Sequence, residues 1–147
     1  MSLLIREMTE EDIGEACNLM RELTGHEISA ADMKNRLDLV GKSSIDELYV
    51  CEADGRVQGV LGFRIRENIE AASRFGEISV IVTSAASRRL GIGKAMMAHA
   101  EKLAKEKGCI GTWLVTDLDR EEEAHRFYQS LGYKINGYRF IKPFDET

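Results

Sequence analysis

Thr83-Ser-Ala-Ala-Ser-Arg-Arg-Leu-Gly-Ile-Gly-Lys94 is the stretch on which the reading of this chain turns. Ahead of it, Phe75 to Thr83 reads as an apolar strand. Behind it, Ile92, Met96, His99 and Leu103 recur at helical spacing as far as a stop at Gly108. A glycine-rich bend between strand and helix turns consecutive backbone N–H groups toward one point and adds the positive end of the helix dipole. The segment therefore reads as a site for pyrophosphate or a similar anion, with Arg88, Arg89 and Lys94 clustered on it. Two common phosphate motifs fail here. A P-loop needs glycine where Arg88 stands and Ser or Thr where Ala95 stands, and the dinucleotide fingerprint needs glycine in place of Met96. What remains is Arg88-x-x-Gly91-x-Gly93, which taken alone fits a plain tight turn equally well.

Working outward, residues 3–8 read as a strand. Thr9 then caps a helix, with Asp12 three residues on and Ile13, Ala16, Cys17, Met20 and Leu23 along one stripe. A second helix starts near Ser29, buries Met33, Leu37 and Val40, and stops at Gly41. Residues 47–53 and 56–66 read as strands around Asp54-Gly55, a two-residue hairpin signal. Beyond Gly108 a strand runs from Cys109 to Val115. Asp119 and Glu122 resemble a capping pair for a helix carrying Ala124, Phe127, Tyr128 and Leu131 up to Gly132. Short strands near 133–135 and 138–141 flank the Asn136-Gly137 turn. The order β-α-α-β-β-β-α-β-α-β-β predicts an α/β fold, a mixed seven-stranded sheet with about four helices, in which ligands sit at strand ends.

Composition narrows the class. With 147 residues, 44% of them hydrophobic, the chain suffices for one compact domain over residues 1–147. A net charge of −5 and a pI near 5.3 argue against nonspecific nucleic-acid binding, which needs a basic face. Cys17, Cys51 and Cys109 are widely spaced inside apolar patterns. They read as reduced core residues of a cytoplasmic protein, not as a metal knuckle, a redox pair or a nucleophile. The opening MSLLIREMTEED turns acidic after three apolar residues, so no signal peptide is expected, and nothing approaches the length of a membrane span. His26, His99 and His125 are isolated, so no metal is expected. Phe63 and Trp113 read as core, and His99 as packed against the sheet.

A second segment settles what the glycine bend belongs to. Glu123-Ala-His-Arg-Phe-Tyr-Gln-Ser-Leu-Gly-Tyr133 is a helix with a Phe-Tyr pair, ended by Leu-Gly-Tyr. The two segments, in this order and at this separation, resemble the GNAT superfamily of acetyl-CoA-dependent N-acetyltransferases. Gly76-Glu77-Ile78, Glu123 to Tyr128 and Tyr138-Arg-Phe140 look most like its aminoalkylphosphonate N-acetyltransferase branch and small-amine neighbours. The resemblance covers essentially the whole chain.

It implies an enzyme that moves an acetyl group from acetyl-CoA to a primary amine by direct attack in a ternary complex. In the family the strand before the bend pairs its main chain with the pantetheine arm, which here falls on Ile81, Val82 and Thr83. The pyrophosphate rests on the N–H groups of Arg88, Arg89, Leu90, Gly91, Ile92, Gly93 and Lys94. Tyr128 matches the tyrosine that protonates the departing thiolate. The amine must shed a proton before attack, and Glu77, an acid inside an apolar strand, is the candidate base; a pairing with an arginine such as Arg74 is the competing role. Many relatives carry a glutamate where this chain has Ser79, so a water or another carboxylate stays open as the base. His26 and Glu27, between the first two helices, reach the acceptor pocket if that loop covers it. Arg64, Arg66 and Arg139 suit a phosphonate or carboxylate if they converge there. The resemblance also carries the expectation of a homodimer. A protein or peptide N-acetyltransferase, and a CoA-binding sensor without turnover, remain open readings at this point.

Overall fold

In the computed structural model, which describes residues 2–87, 90–116 and 121–145, the alternating stretches pair in the order in which they occur. Contacts divide the chain into two units, Met1–Thr112 and Trp113–Thr147.

The first unit opens with β1 (Leu3–Glu7), a 3-10 turn (Glu10–Asp12) and α1 (Ile13–Thr24). The Asp12 carboxylate accepts the Thr9 N–H at 2.8 Å, which starts the helical turn as the sequence predicts. Gly25 ends α1 in the left-handed region. The next helix, α2 (Ala30–Lys42), is capped by the Ser29 hydroxyl, which accepts the Asp32 N–H at 3.0 Å. It runs one residue past Gly41 and closes on Ser43. Then β2 (Asp46–Ala53) and β3 (Arg56–Glu67) form a hairpin in which both Asp54 and Gly55 have positive φ, as a two-residue turn of this kind requires. β4 (Arg74–Thr83) pairs antiparallel with β3, and α3 spans Ile92–Glu106. Cys109 to Thr112 then runs beside the start of β4: the Ile110 N–H donates to the Arg74 carbonyl, and the Gly76 N–H donates to that of Gly111.

Strand register sorts the side chains onto two faces. Val50, Val60 and Val82 meet Ala16 and Leu19 of α1 and Met33 of α2 in one buried cluster. On the opposite face lie Leu61 and Phe63, with Met96 of α3 under Gly59 and Ala104 under Gly76. Burying each large side chain stabilises the fold by roughly 1.5–3 kcal/mol. β4 carries a bulge on the way: Gly62 pairs with Val80 and Phe63 with Ile78, so Ser79 has no opposite number. The bulge swaps parity along the strand. Val80 and Val82 face α1 and α2, Ile78 faces Phe63, and Glu77 returns to the side of α1 and α2.

In the second unit α4 covers Glu121–Ser130 and stops at Gly132. Asp119, the expected cap, lies outside the described residues.

Two expectations are corrected. The sheet has five strands among the described residues, in the order β1-β2-β3-β4-β5, not seven. The segment Cys109 to Val115 narrows to β5 (Thr112–Trp113), and residues 133–135 and 138–141 form no strand, so the predicted order fails after α4. Alternation records which side chains are apolar but not whether a partner backbone is present, and a strand exists only as part of a ladder. Tyr138, Phe140 and Ile141 are 89%, 95% and 71% exposed, so neither parity of that segment is buried.

Candidate functional site

Within the first unit, β4 and the start of α3 bring most of the expected residues onto one continuous path. Ile81, Val82 and Thr83 pair with Leu61, Val60 and Gly59 of β3 along one edge. On the other edge the Cys109–Thr112 segment lies beside the beginning of β4, and among the described residues no strand of this unit continues alongside Ile81 to Thr83. Within this unit, that edge of β4 presents backbone donors and acceptors of the kind an extended ligand pairs with.

The chain then enters the bend. The Ser84 N–H donates to the Gln58 carbonyl at 2.8 Å, and Ala85–Ser87 form a 3-10 turn. Ser87 is buried and its hydroxyl donates to the Gln58 side-chain carbonyl. The two bonds that Gln58 accepts latch the entrance of the bend to β3. Neither Gln58 nor Ser87 stands out in the sequence; Gln58 is itself the unpaired residue of a second bulge, opposite Cys51 and Glu52 of β2. Arg88 and Arg89, the expected head of the anion site, lie outside the described residues. Gly91, with φ +79°, is the left-handed residue that turns the chain into α3, and its carbonyl accepts the Ala95 N–H at 2.9 Å. The N–H groups of Ile92, Gly93 and Lys94 thus form a first helical turn without intrahelical partners, at the positive end of a fifteen-residue helix. Leu90, Gly91 and Lys94 are exposed.

Beside the bend, a cavity of about 130 Å³ opens between α1 and the start of β3, walled by Glu15, Asn18, Glu22, Arg56, Gln58 and Ser84. Its carboxylates face backbone donors: Glu15 accepts the Val57 N–H at 3.0 Å and Glu22 the Ala85 N–H at 3.4 Å.

Glu77 is half-buried on β4. Its carboxylate pairs with Arg66 at 3.8 Å, whereas Arg74, the partner weighed from the sequence, pairs with Glu67 at 3.2 Å. Parity explains the choice, because Arg66 lies diagonally across the ladder from Glu77 on the same face. The same face carries Arg64 directly opposite Glu77 and Asp46 directly opposite Arg64. Ser79 is exposed at the bulge, and the missing side chain of Gly62 makes room for it: a Cβ there would stand 2.6 Å from the Ser79 Oγ.

Tyr128 belongs to the second unit. It is half-buried on α4, its ring edge-on to Phe127 at 5.2 Å and to Tyr133 at 6.2 Å. His125, on the same helix, has Nε2 3.0 Å from the Thr116 hydroxyl. His99 sets its ring edge against Tyr49 at 4.7 Å, and burial lowers its pKa, which favours the neutral imidazole. His26 is exposed, and Glu27 is paired with Arg21. Arg139 is exposed. Cys51 is buried, and burial pushes its thiol and that of Cys109 upward, away from thiolate character. Among the described residues no three His, Cys, Asp or Glu side chains gather as a metal site, and no helix is long and apolar enough to cross a membrane.

Comparison with known proteins bears on this geometry. The model of the acetyltransferase (GNAT) family matches residues 14–133. The aminoalkylphosphonate N-acetyltransferase of Salmonella typhimurium is 30% identical over 141 residues, 94% of this chain and 89% of that one. The glucosamine 6-phosphate N-acetyltransferase of Trypanosoma brucei brucei is 26% identical, over 92% of each chain. Among solved structures, a transcriptional regulator from Bacillus halodurans C-125 superposes with a TM-score of 0.88 at 24% identity, covering 97% of this chain and all of its own, a likeness of fold.

Proposed function

Because the chain belongs to the GNAT family of acetyltransferases, whose co-substrate is acetyl-CoA, we propose that it acetylates a primary amine of a small molecule by direct attack within a ternary complex. The observation that supports this reading is the stretch of β4 that no described strand of the first unit flanks on its second edge, followed by a helix whose first N–H groups have no intrahelical partners. Ile81, Val82 and Thr83 would hold the pantetheine amides, and Leu90 to Lys94, with Arg88 and Arg89, the pyrophosphate. An N–H of the β4 edge would donate to the thioester oxygen as negative charge develops on it. Glu77 would take the proton from the attacking ammonium, directly or through water, and the Tyr128 hydroxyl would give a proton to the departing thiolate. No step requires a metal. Both curated relatives named above act on small amines according to their names, which supports a small acceptor over a peptide.

In this reading residues 1–147 form a single acetyltransferase domain. It works in the cytoplasm, consistent with three free cysteines. It works as a homodimer, in which a second copy covers the exposed Tyr138, Phe140 and Phe144. The test is calorimetric titration with acetyl-CoA followed by a thiol-release assay against a panel of amines. Micromolar binding and turnover are expected; a folded protein that gives no heat with acetyl-CoA would overturn the proposal.

A further inference from the structure

The bend between β4 and α3 is held at both ends by two neighbours on β3. At its entrance Gln58 accepts the Ser84 N–H at 2.8 Å through its main-chain carbonyl, and the Ser87 hydroxyl through its side-chain carbonyl. At its exit Gly59 lets the start of α3 lie directly on the strand: a Cβ there would stand 2.9 Å from the Met96 Cε and 3.0 Å from the Ile92 Cγ2. The β2–β3 bulge leaves Gln58 uncommitted to a cross-strand pair, because Gly59 is opposite Cys51 and Val57 opposite Glu52.

Ser87 carries that hold into the bend. It is 3% exposed, and each of its polar groups is used. The N–H donates to the Ser84 carbonyl at 3.0 Å, the carbonyl accepts the Leu90 N–H at 3.2 Å, and the hydroxyl donates to Gln58. Further along, the bend has little packing of its own. Leu90 is exposed, and nothing lies within 4 Å of where a Gly91 Cβ would be. A buried hydroxyl without its acceptor is costly, so the Gln58 side chain sets which way Ser87 faces, and with it the chain that Ser87 bonds.

We infer that Gln58 is a positioning residue for the diphosphate of acetyl-CoA, acting through Ser87 to hold the bend with its N–H groups converged. This rests on the reading of the bend as the pyrophosphate site. Without the latch, other arrangements of the bend compete with the binding-competent one, and apparent affinity falls in proportion to the competent fraction that remains. The pantetheine arm, which pairs along β4 ahead of the bend, does not depend on the latch. Gln58 therefore governs one half of the co-substrate and not the other.

The experiment is calorimetric titration of wild type, Gln58→Met, Ser87→Ala and the double variant with CoA, and with pantetheine as the arm that lacks the diphosphate. Methionine has the length of glutamine without its acceptor, and the main-chain bond from Ser84 to Gln58 survives every substitution. A neutral hydrogen bond is worth about threefold to tenfold in an equilibrium, and the CoA Kd should rise by that factor in Gln58→Met. Ser87→Ala should lose the same amount and the double variant no more, since all three lack one and the same bond. Pantetheine should bind all four proteins alike, and thermal unfolding reads the fold of each. A CoA Kd in Gln58→Met within about twofold of wild type, less than a weak hydrogen bond is worth, would overturn the inference. So would single losses that add in the double variant, or a loss shared equally by pantetheine, which is the mark of a general structural role. Absence of CoA binding by the folded wild type would instead overturn the acetyl-CoA reading itself.

Discussion

Asp12→Asn should destabilise the protein more than most single changes outside the apolar core. The Asp12 side chain is 5% exposed, and its two oxygens take a bidentate pair of bonds from Arg6, each 2.8 Å. A further 2.8 Å bond comes from the Thr9 N–H. Arg6 in turn reaches Glu52 of β2 at 2.5 Å, so the pair ties the first helical turn to two strands. An amide in place of the carboxylate points an N–H₂ group at donors and leaves the guanidinium with Glu52 as its one carboxylate partner. Breaking a buried pair in this way costs about 3–5 kcal/mol. Because Arg6 is 33% exposed and water can reach it, the lower end applies, about 3 kcal/mol. For a chain of this size that is a fall in Tm of about 6–12 °C. Arg6 holds the Asp12 carboxyl below the usual carboxylate range. Its contribution is therefore complete above the unfolded pKa of about 3.9 and is lost as pH falls through the lower native value. Urea unfolding of wild type and variant should differ by a constant amount at neutral pH and converge in acid below about pH 4. A gap under about 0.5 kcal/mol at pH 7, or one that persists unchanged in acid, would refute the reasoning, since a buried charge pair must do both.

Three further outcomes are expected. Gly91→Ala places a Cβ where nothing lies within 4 Å, so the cost is the left-handed backbone alone, about 1 kcal/mol of stability together with weaker acetyl-CoA binding; Gly91→Asn should lose less, and thermal melts with calorimetry read both. Tyr128→Phe should lower kcat about a hundredfold while the acetyl-CoA Kd stays put, as single-turnover kinetics and titration would show. Glu77→Gln should depress turnover at neutral pH and recover it as the medium approaches the amine's own pKa, about 10, in a pH–rate profile; a uniform loss at all pH values would argue against a proton-accepting role.

Much of this architecture is legible in the sequence because it is local. The Thr9–Asp12 start, the Ser29 cap, the Asp54-Gly55 hairpin and the Gly108 stop all rest on contacts within a few residues, and all four are present. What a single chain of letters hides is pairing. Residues 133–141 have the alternation of strands and find no ladder, and the Cys109–Val115 pattern shrinks to two residues. Ile78, Val80 and Val82 have the spacing of a single face, but the unpaired Ser79 divides them between two. The same displacement puts Glu77 on the face of Arg66, while plain alternation along β4 turns Arg74 to the other face. Gln58 is a further case, because the latch it forms with Ser84 and Ser87 bridges elements far apart in the chain.

The kink at Ser79 separates what the chain needs to fold from what it needs to work. Excising that one residue would leave Val80 opposite Gly62, Ile78 opposite Phe63 and Glu77 opposite Arg64, with every side chain on its present side. A protein straightened by this deletion should still assemble its hydrophobic interior, yet its fourth strand would run flat where it now bulges next to Glu77. Evolution can therefore retune or silence this scaffold by gaining or losing a single codon, without disturbing its core.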